Sequence, residues 1–168
     1  MYLKYLEKHK NNEIPFVDND FYKDILELNK SIEENQELET WSILDEYIEL
    51  NLENIEKDFF LDLIENFGKI KYWKFKFWYF CENKIINDYK SYNNYELAKL
   101  IYSFSFAEKG SDYLYNSIAK ELMLRKISNL TEKEFILIYN AYTTVKIDDK
   151  IFNLLLEKAR KENFSHIN

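Results

Sequence analysis

Four aromatic residues, Trp41, Trp78, Tyr115 and Phe152, recur at a constant interval of 37 residues. Three positions after each lie Leu44, Cys81, Ile118 and Leu155. Four further on lie Ile48, Ile85, Leu122 and Ala159. Spacings of three and then four place such columns on one face of a helix. A returning stripe constrains the fold more than any local motif. One amphipathic unit cannot bury its own apolar face, so the next copy must cover it.

A second set of columns keeps the same interval. Leu63, Leu100 and Leu137 align, as do Ile64, Ile101 and Ile138, and Phe67, Phe104 and Ala141. In the first copy Leu26 fits, but Glu27 and Lys30 occupy the other two columns. Polar substitution is expected of a terminal repeat, which has one face without a neighbour. Asp20, Asn94 and Thr131 precede the first helix of their copies and can cap it. Thr131 with Glu134 reads as a capping box. Lys57 interrupts this column, with Asp58 able to cap one residue later; Asp112 and Asp149 fill the same part for two second helices.

These signals predict helices over residues 20–34, 38–53, 58–68, 72–90, 95–108, 112–127, 132–145 and 149–163. The expected architecture is all-α. It is a right-handed α-solenoid of four helix-turn-helix repeats, covering about residues 20–56, 57–93, 94–130 and 131–165. A short extension, residues 1–19, precedes them within a single domain spanning 1–168.

Composition agrees. Hydrophobic residues make up 46% and aromatics 18%, enough for a packed core. Two glycines and one proline leave few turns that demand positive φ, which disfavours an all-β fold. No apolar run approaches about 18 residues, so no membrane span is expected. Cys81 is the single cysteine, so neither an intrachain disulfide nor a cysteine metal cluster is expected. Residues 1–56 carry 5 Lys/Arg against 15 Asp/Glu, and residues 57–168 carry 18 against 15. The net charge of −7 therefore sits in the N-terminal part, which argues against tight nucleic-acid binding there. Tyr2, Leu3, Tyr5 and Leu6 stand beside Lys4, Lys8 and Lys10 with no apolar run behind them, which reads as an ordinary helical start. A mitochondrial address is the alternative.

Ser105–Ser111 reads SFAEKGS and Leu130–Asp149 reads LTEKEFILIYNAYTTVKIDD. With the 37-residue period, these segments resemble the heptatricopeptide and octotricopeptide repeats of organellar proteins, among them the FAST-kinase-like and RAP-domain proteins. The resemblance covers residues 94–160 best and 58–90 less well. It implies helix-pair solenoids that act in mitochondria or plastids on RNA or in ribosome assembly. The chain has no segment that matches a RAP domain, so that module's activity is not carried over.

Three constellations invite a functional reading. Asn29, Asn66, Ser103 and Asn140 form a polar column beside the apolar stripe of the first helices. Amides donate and accept, so this column suits a ladder that reads RNA bases or an extended peptide. The preferred reading is plainer: a set of bonds that fixes the register between neighbouring repeats. The second constellation is residues 69–80, where Lys69, Lys71, Lys74 and Lys76 interleave with seven aromatics. Single-stranded nucleic acid is bound by such mixtures. The expectation, however, is a central helix buried on all sides with its lysines reaching out to solvent. The third is the pair Tyr102 and Tyr139, which shares its column with Glu65 and reads as semi-exposed. With Phe106 and Tyr113 the pair offers either a partner-binding face or an ordinary half-buried rim.

Catalysis finds little footing. His9 and His166 lie at opposite ends of the chain, no glycine-rich phosphate loop exists, and Cys81 sits in a core column. The expectation is a non-catalytic scaffold without cofactor or metal. It would belong to an organellar assembly such as a mitochondrial ribosome, bound chiefly to protein subunits with RNA touched locally. A free RNA-binding factor and a cytoplasmic peptide-binding adaptor are the alternatives.

Overall fold

A computed structural model describes residues 49, 52–145 and 149–162. The extension, most of the first predicted repeat with Asp20, Leu26, Glu27, Asn29, Lys30, Trp41, Leu44 and Ile48, and both histidines lie outside the described residues. Among the described residues all regular structure is helical. Six α-helices span Lys57–Lys69 (α1), Phe75–Asp88 (α2), Asn94–Phe106 (α3), Asp112–Leu124 (α4), Glu132–Thr144 (α5) and Asp149–Glu162 (α6). Single 3₁₀ turns at Leu52–Asn54, Tyr89–Ser91 and Ile127–Asn129 precede α1, α3 and α5. No helix among these residues is long and apolar enough to cross a membrane.

The starts of α3 and α5 follow from local chemistry. Asn93 accepts from the Glu96 amide at 2.9 Å, and the Glu96 carboxylate accepts from the Asn93 amide at 2.7 Å. Thr131 and Glu134 close the same reciprocal pair at 3.3 and 2.8 Å. The cap of α3 is thus Asn93 and not Asn94, because only Asn93 has a glutamate three residues on. Ser111, not Asp112, caps α4, accepting from the Leu114 amide at 3.2 Å. Asp112 is the first helical residue, where its charge favours the positive helix end. Before α1, Glu56 is extended and makes no side-chain cap bond.

The chain divides into two compact units, residues 1–84 and 85–168, with the boundary inside α2. In the first unit, Phe60, Leu63, Ile64 and Phe67 of α1 are buried, as are Phe77, Trp78 and Cys81 of α2. Phe67 stacks on Phe77 with centroids 4.4 Å apart, and Tyr72 meets both rings edge-on. Such ring pairs add about 0.5–1.5 kcal/mol each beyond the area they bury.

In the second unit α3 packs most extensively against α5, and α3–α4 and α5–α6 form adjacent pairs. Leu97, Ile101, Phe104, Phe135 and Ile138 fill the space between the first helices, all fully buried. The Tyr142 hydroxyl donates to the Tyr115 carbonyl at 2.6 Å, tying α5 to the α4 segment. Arg125, which follows α4, donates to the carbonyls of Tyr92 (2.6 Å) and Lys90 (3.1 Å) beside the turn before α3. Lys158, in the last turns of α6, donates to the Ser128 carbonyl at 3.2 Å and pairs with Glu162 at 2.7 Å. In each case a cation near the end of a second helix satisfies carbonyls of the turn before the first helix of its own pair.

The columns differ in depth. Ile64, Ile101 and Ile138 are all fully buried. Leu137, Phe152 and Ala159 are only half-buried. In α6 the deepest residues are Ile151, Leu155 and Lys158, so the column Phe77, Leu114, Ile151 is buried more evenly than Trp78, Tyr115, Phe152. The reason lies in polar tips. Trp78 Nε1 donates to the Tyr72 carbonyl at 2.7 Å, and the Tyr115 hydroxyl donates to the Lys109 carbonyl at 2.6 Å. Phe152 has no donor to make this bond.

Candidate interaction surface

The turn that joins α1 to α2 sets the surface of residues 69–80. The Lys71 amide donates to the Gly68 carbonyl at 2.9 Å and the Tyr72 amide to the Phe67 carbonyl at 3.0 Å. With Lys71 at φ 50°, this is the left-handed helix ending that caps the last carbonyls. The same ending closes α3, where Glu108 takes φ 58° and the Lys109 amide reaches the Phe104 carbonyl at 2.9 Å. The segment is therefore not one helix from residue 72. The chain turns at Lys71, and α2 begins at Phe75.

That turn decides which rings are covered. Tyr72, Phe77 and Trp78 are buried, at 4%, 1% and 2% exposure. Trp73, Phe75 and Tyr79 are not, at 58%, 74% and 54%. The expectation of burial on all sides is corrected here: α2 buries one face through Phe77, Trp78 and Cys81, and presents Phe75 and Tyr79 on another. These two stand four residues apart, one turn along the same side of the helix.

The four lysines neighbour these rings along the chain. Lys69 ends α1 and lies 3.4 Å from Glu65 in an exposed i,i+4 pair. Lys71 is exposed at the turn, and Lys74 is half-buried just before α2. Lys76 meets Glu49 at 2.8 Å and lies 5.7 Å from the Phe80 ring centroid. The Lys69–Glu65 pair is exposed and contributes at most about 1 kcal/mol; Lys76 is equally exposed, but its partner Glu49 is only 11% exposed, so that pair is partly buried.

The amide column is dispersed in depth. Asn66 is half-buried and its Nδ2 donates to the Asp62 carbonyl at 2.8 Å, one turn back in α1. Ser103 is 5% exposed and its hydroxyl donates to the Lys99 carbonyl at 2.8 Å. Asn140 is exposed, and its backbone carbonyl accepts from the hydroxyls of Thr143 and Thr144 at 3.0 and 2.9 Å. Asn29 lies outside the described residues. The side-chain bonds of Asn66 and Ser103 thus run within their own helices, and Ser103 offers no surface to a ligand.

Sequence reasoning singled out the lysines and not the exposed rings. A signal for them existed: Phe75 and Tyr79 share a helix side that excludes Phe77, Trp78 and Cys81. Reading it required placing the helix start at Phe75. Tyr102 and Tyr139 are half-buried. Tyr102 stacks with Phe106 at 6.0 Å, and Tyr139 with Phe135 and Phe152 at 5.7 and 6.0 Å. Tyr113 is 67% exposed. A separate cleft of about 330 Å³ in the second unit is lined by Met123, Ile127 and Leu154 with the ion pairs Lys158–Glu162 and Lys161–Glu157. Cys81 is a fully buried thiol and forms no disulfide. Among the described residues no group of three or more His, Cys, Asp or Glu side chains is placed to hold a metal ion.

No family model, curated protein or solved structure matches this chain.

Proposed function

We propose that the chain is a solenoid of four helix pairs with a 37-residue period, working as a non-catalytic scaffold subunit of a larger assembly. One observation carries the repeat reading. The left-handed turn and the aromatic-to-carbonyl bond at Lys71, Tyr72 and Trp78 return at Glu108, Lys109 and Tyr115 with the same spacing. Local backbone, hydrogen bond and ring repeat together, which apolar periodicity alone does not require. Stacking of α3 on α5 supports the same reading, since first helices lie side by side in stacked pairs.

The assembly preferred is an organellar ribonucleoprotein such as a mitochondrial ribosome. Support for that part is the resemblance of residues 94–160 to organellar helical repeats. The test is purification of the tagged full chain from its own cells, with identification of what accompanies it. The expected result is a stoichiometric set of ribonucleoprotein subunits in the organellar fraction. Recovery as a lone monomer would sink the scaffold reading. A cytosolic fraction holding one peptide-bearing partner would replace it with the adaptor.

A further inference from the structure

The α1–α2 and α3–α4 turns show what this fold needs at such a place and what it does not. Before α4 stand Gly110, Ser111 and Asp112: a residue at φ 95°, a cap and a first-turn acid. The equivalents 37 positions earlier are Trp73, Lys74 and Phe75, followed by Lys76. α2 has no acidic residue in its first turn. Lysines near a helix N-terminus work against its dipole, and lysine is a poor cap. Three large rings, each more than half exposed, add little to a core. A site that departs from the local rules of its own fold is a candidate for function.

Charge and composition choose the occupant. Residues 69–81 hold four lysines and no carboxylate, in a chain of net charge −7. Protein interfaces are depleted in lysine and favour arginine, which is absent from this segment. Single-stranded nucleic acid needs this pairing: π-faces for its bases and point charges for its phosphates. Glu65 holds Lys69 in an exposed pair that can exchange partners, whereas Lys76 is held by the largely buried Glu49 and stays with it.

We infer that Trp73, Phe75 and Tyr79, flanked by the four lysines of residues 69–76, form a stacking platform for single-stranded nucleic acid. The inference does not depend on the scaffold reading, because it is tested on the purified chain alone. The probe is a fluorescein-labelled 12-nucleotide RNA, and a DNA of the same sequence, followed by anisotropy from 25 to 200 mM KCl. Binding should weaken with salt along a log–log slope of roughly −2, the value for Lys69, Lys71 and Lys74 on a single strand. Each of Trp73→Ala, Phe75→Ala and Tyr79→Ala should weaken it about tenfold, within the range for one stacked base. Tyr113→Ala, an exposed ring in the second unit, should change nothing. Lys69→Gln with Lys71→Gln should reduce the slope by about 1.4 in magnitude, a readout that loss of rings does not predict. Circular dichroism confirms that each variant is folded. Equal affinity for RNA and DNA leaves the platform intact and makes it a reader of base faces; preference for RNA adds a contact to the 2′-hydroxyl. Absence of binding at 25 mM KCl overturns the inference, as does binding that ignores all three ring substitutions. It is also overturned if the ring variants shed a co-purifying protein while nucleic acid never binds, since the patch is then a protein interface.

Discussion

Residues 67–79 and residues 104–116 lie 37 positions apart and pass through the same steps. Each leaves a first helix through a left-handed residue, Lys71 or Glu108. Each sends a buried aromatic donor, Trp78 or Tyr115, to the carbonyl six residues earlier. The two then part. The second uses glycine, serine and aspartate to enter α4; the first uses Trp73, Lys74 and Phe75 to enter α2. Equal buried parts and unequal surfaces separate what the fold requires from what it leaves open.

The largest test of the shared part is truncation of its aromatic. Trp78→Ala and Tyr115→Ala should each destabilise by about 3–5 kcal/mol in chemical denaturation, since both side chains are almost fully buried. Tyr115→Phe isolates the bond to the Lys109 carbonyl and should cost about 1–2 kcal/mol. A neutral Tyr115→Phe would reduce the recurrence to ring packing alone.

Gly110→Ala comes next. At φ 95° a side chain is strained, and a Cβ there would lie 2.9 Å from Tyr115 Cε2 and 3.1 Å from Leu114 Cδ2. The strain alone costs roughly 1–2 kcal/mol, so the melting temperature should fall. Trp73 holds the equivalent position without positive φ, so the two turns diverge in backbone at this residue. An unchanged melting temperature would show that the α3–α4 turn can relax to the path of its counterpart.

A smaller effect of opposite sign sharpens the contrast. Lys74→Ser gives α2 the residue type that caps α4, and should stabilise by up to about 1 kcal/mol while weakening nucleic-acid binding. Stability gained with affinity unchanged would mean that Lys74 is not part of the surface.

The smallest expectation concerns α6. The Glu157 carboxyl is held below its ordinary value by its hydrogen bond to Lys161 and by that residue's charge. A carboxylate with a depressed pKa contributes above its unfolded value and loses that contribution as pH falls through the folded one. The group is fully exposed, so the effect is read by carboxyl-resolved NMR titration. Lys161→Ala should return the midpoint to the ordinary value; an unmoved midpoint would assign the shift elsewhere.

Helix positions were legible because burial has a period. Ile64, Ile101 and Ile138 could be picked out by spacing, and all three are fully buried. The caps of α3 and α5 were legible to within one residue: Thr131 was placed correctly, and Asn93 displaced Asn94 because the glutamate three residues on decides the reciprocal bond; the cap expected at Asp58 was not, since α1 already starts at Lys57 and Asp58 lies in its first turn. The lysines and aromatics of residues 69–80 were legible as a cluster, but which of the rings are exposed was not. Periodicity counts apolar residues and does not register a left-handed break at a lysine. Arg125 and Lys158 carried no local signal, for their carbonyl partners lie 35 and 30 residues away in sequence.

What the amino-acid order determined by itself is the helical class, since amphipathic spacing of three and four follows from the geometry of one helix. Tertiary structure alone decided which aromatics are covered. Coverage depends on where a turn aims the next helix, and at residues 69–80 the Lys71 turn buries Tyr72, Phe77 and Trp78 and leaves Trp73, Phe75 and Tyr79 in water.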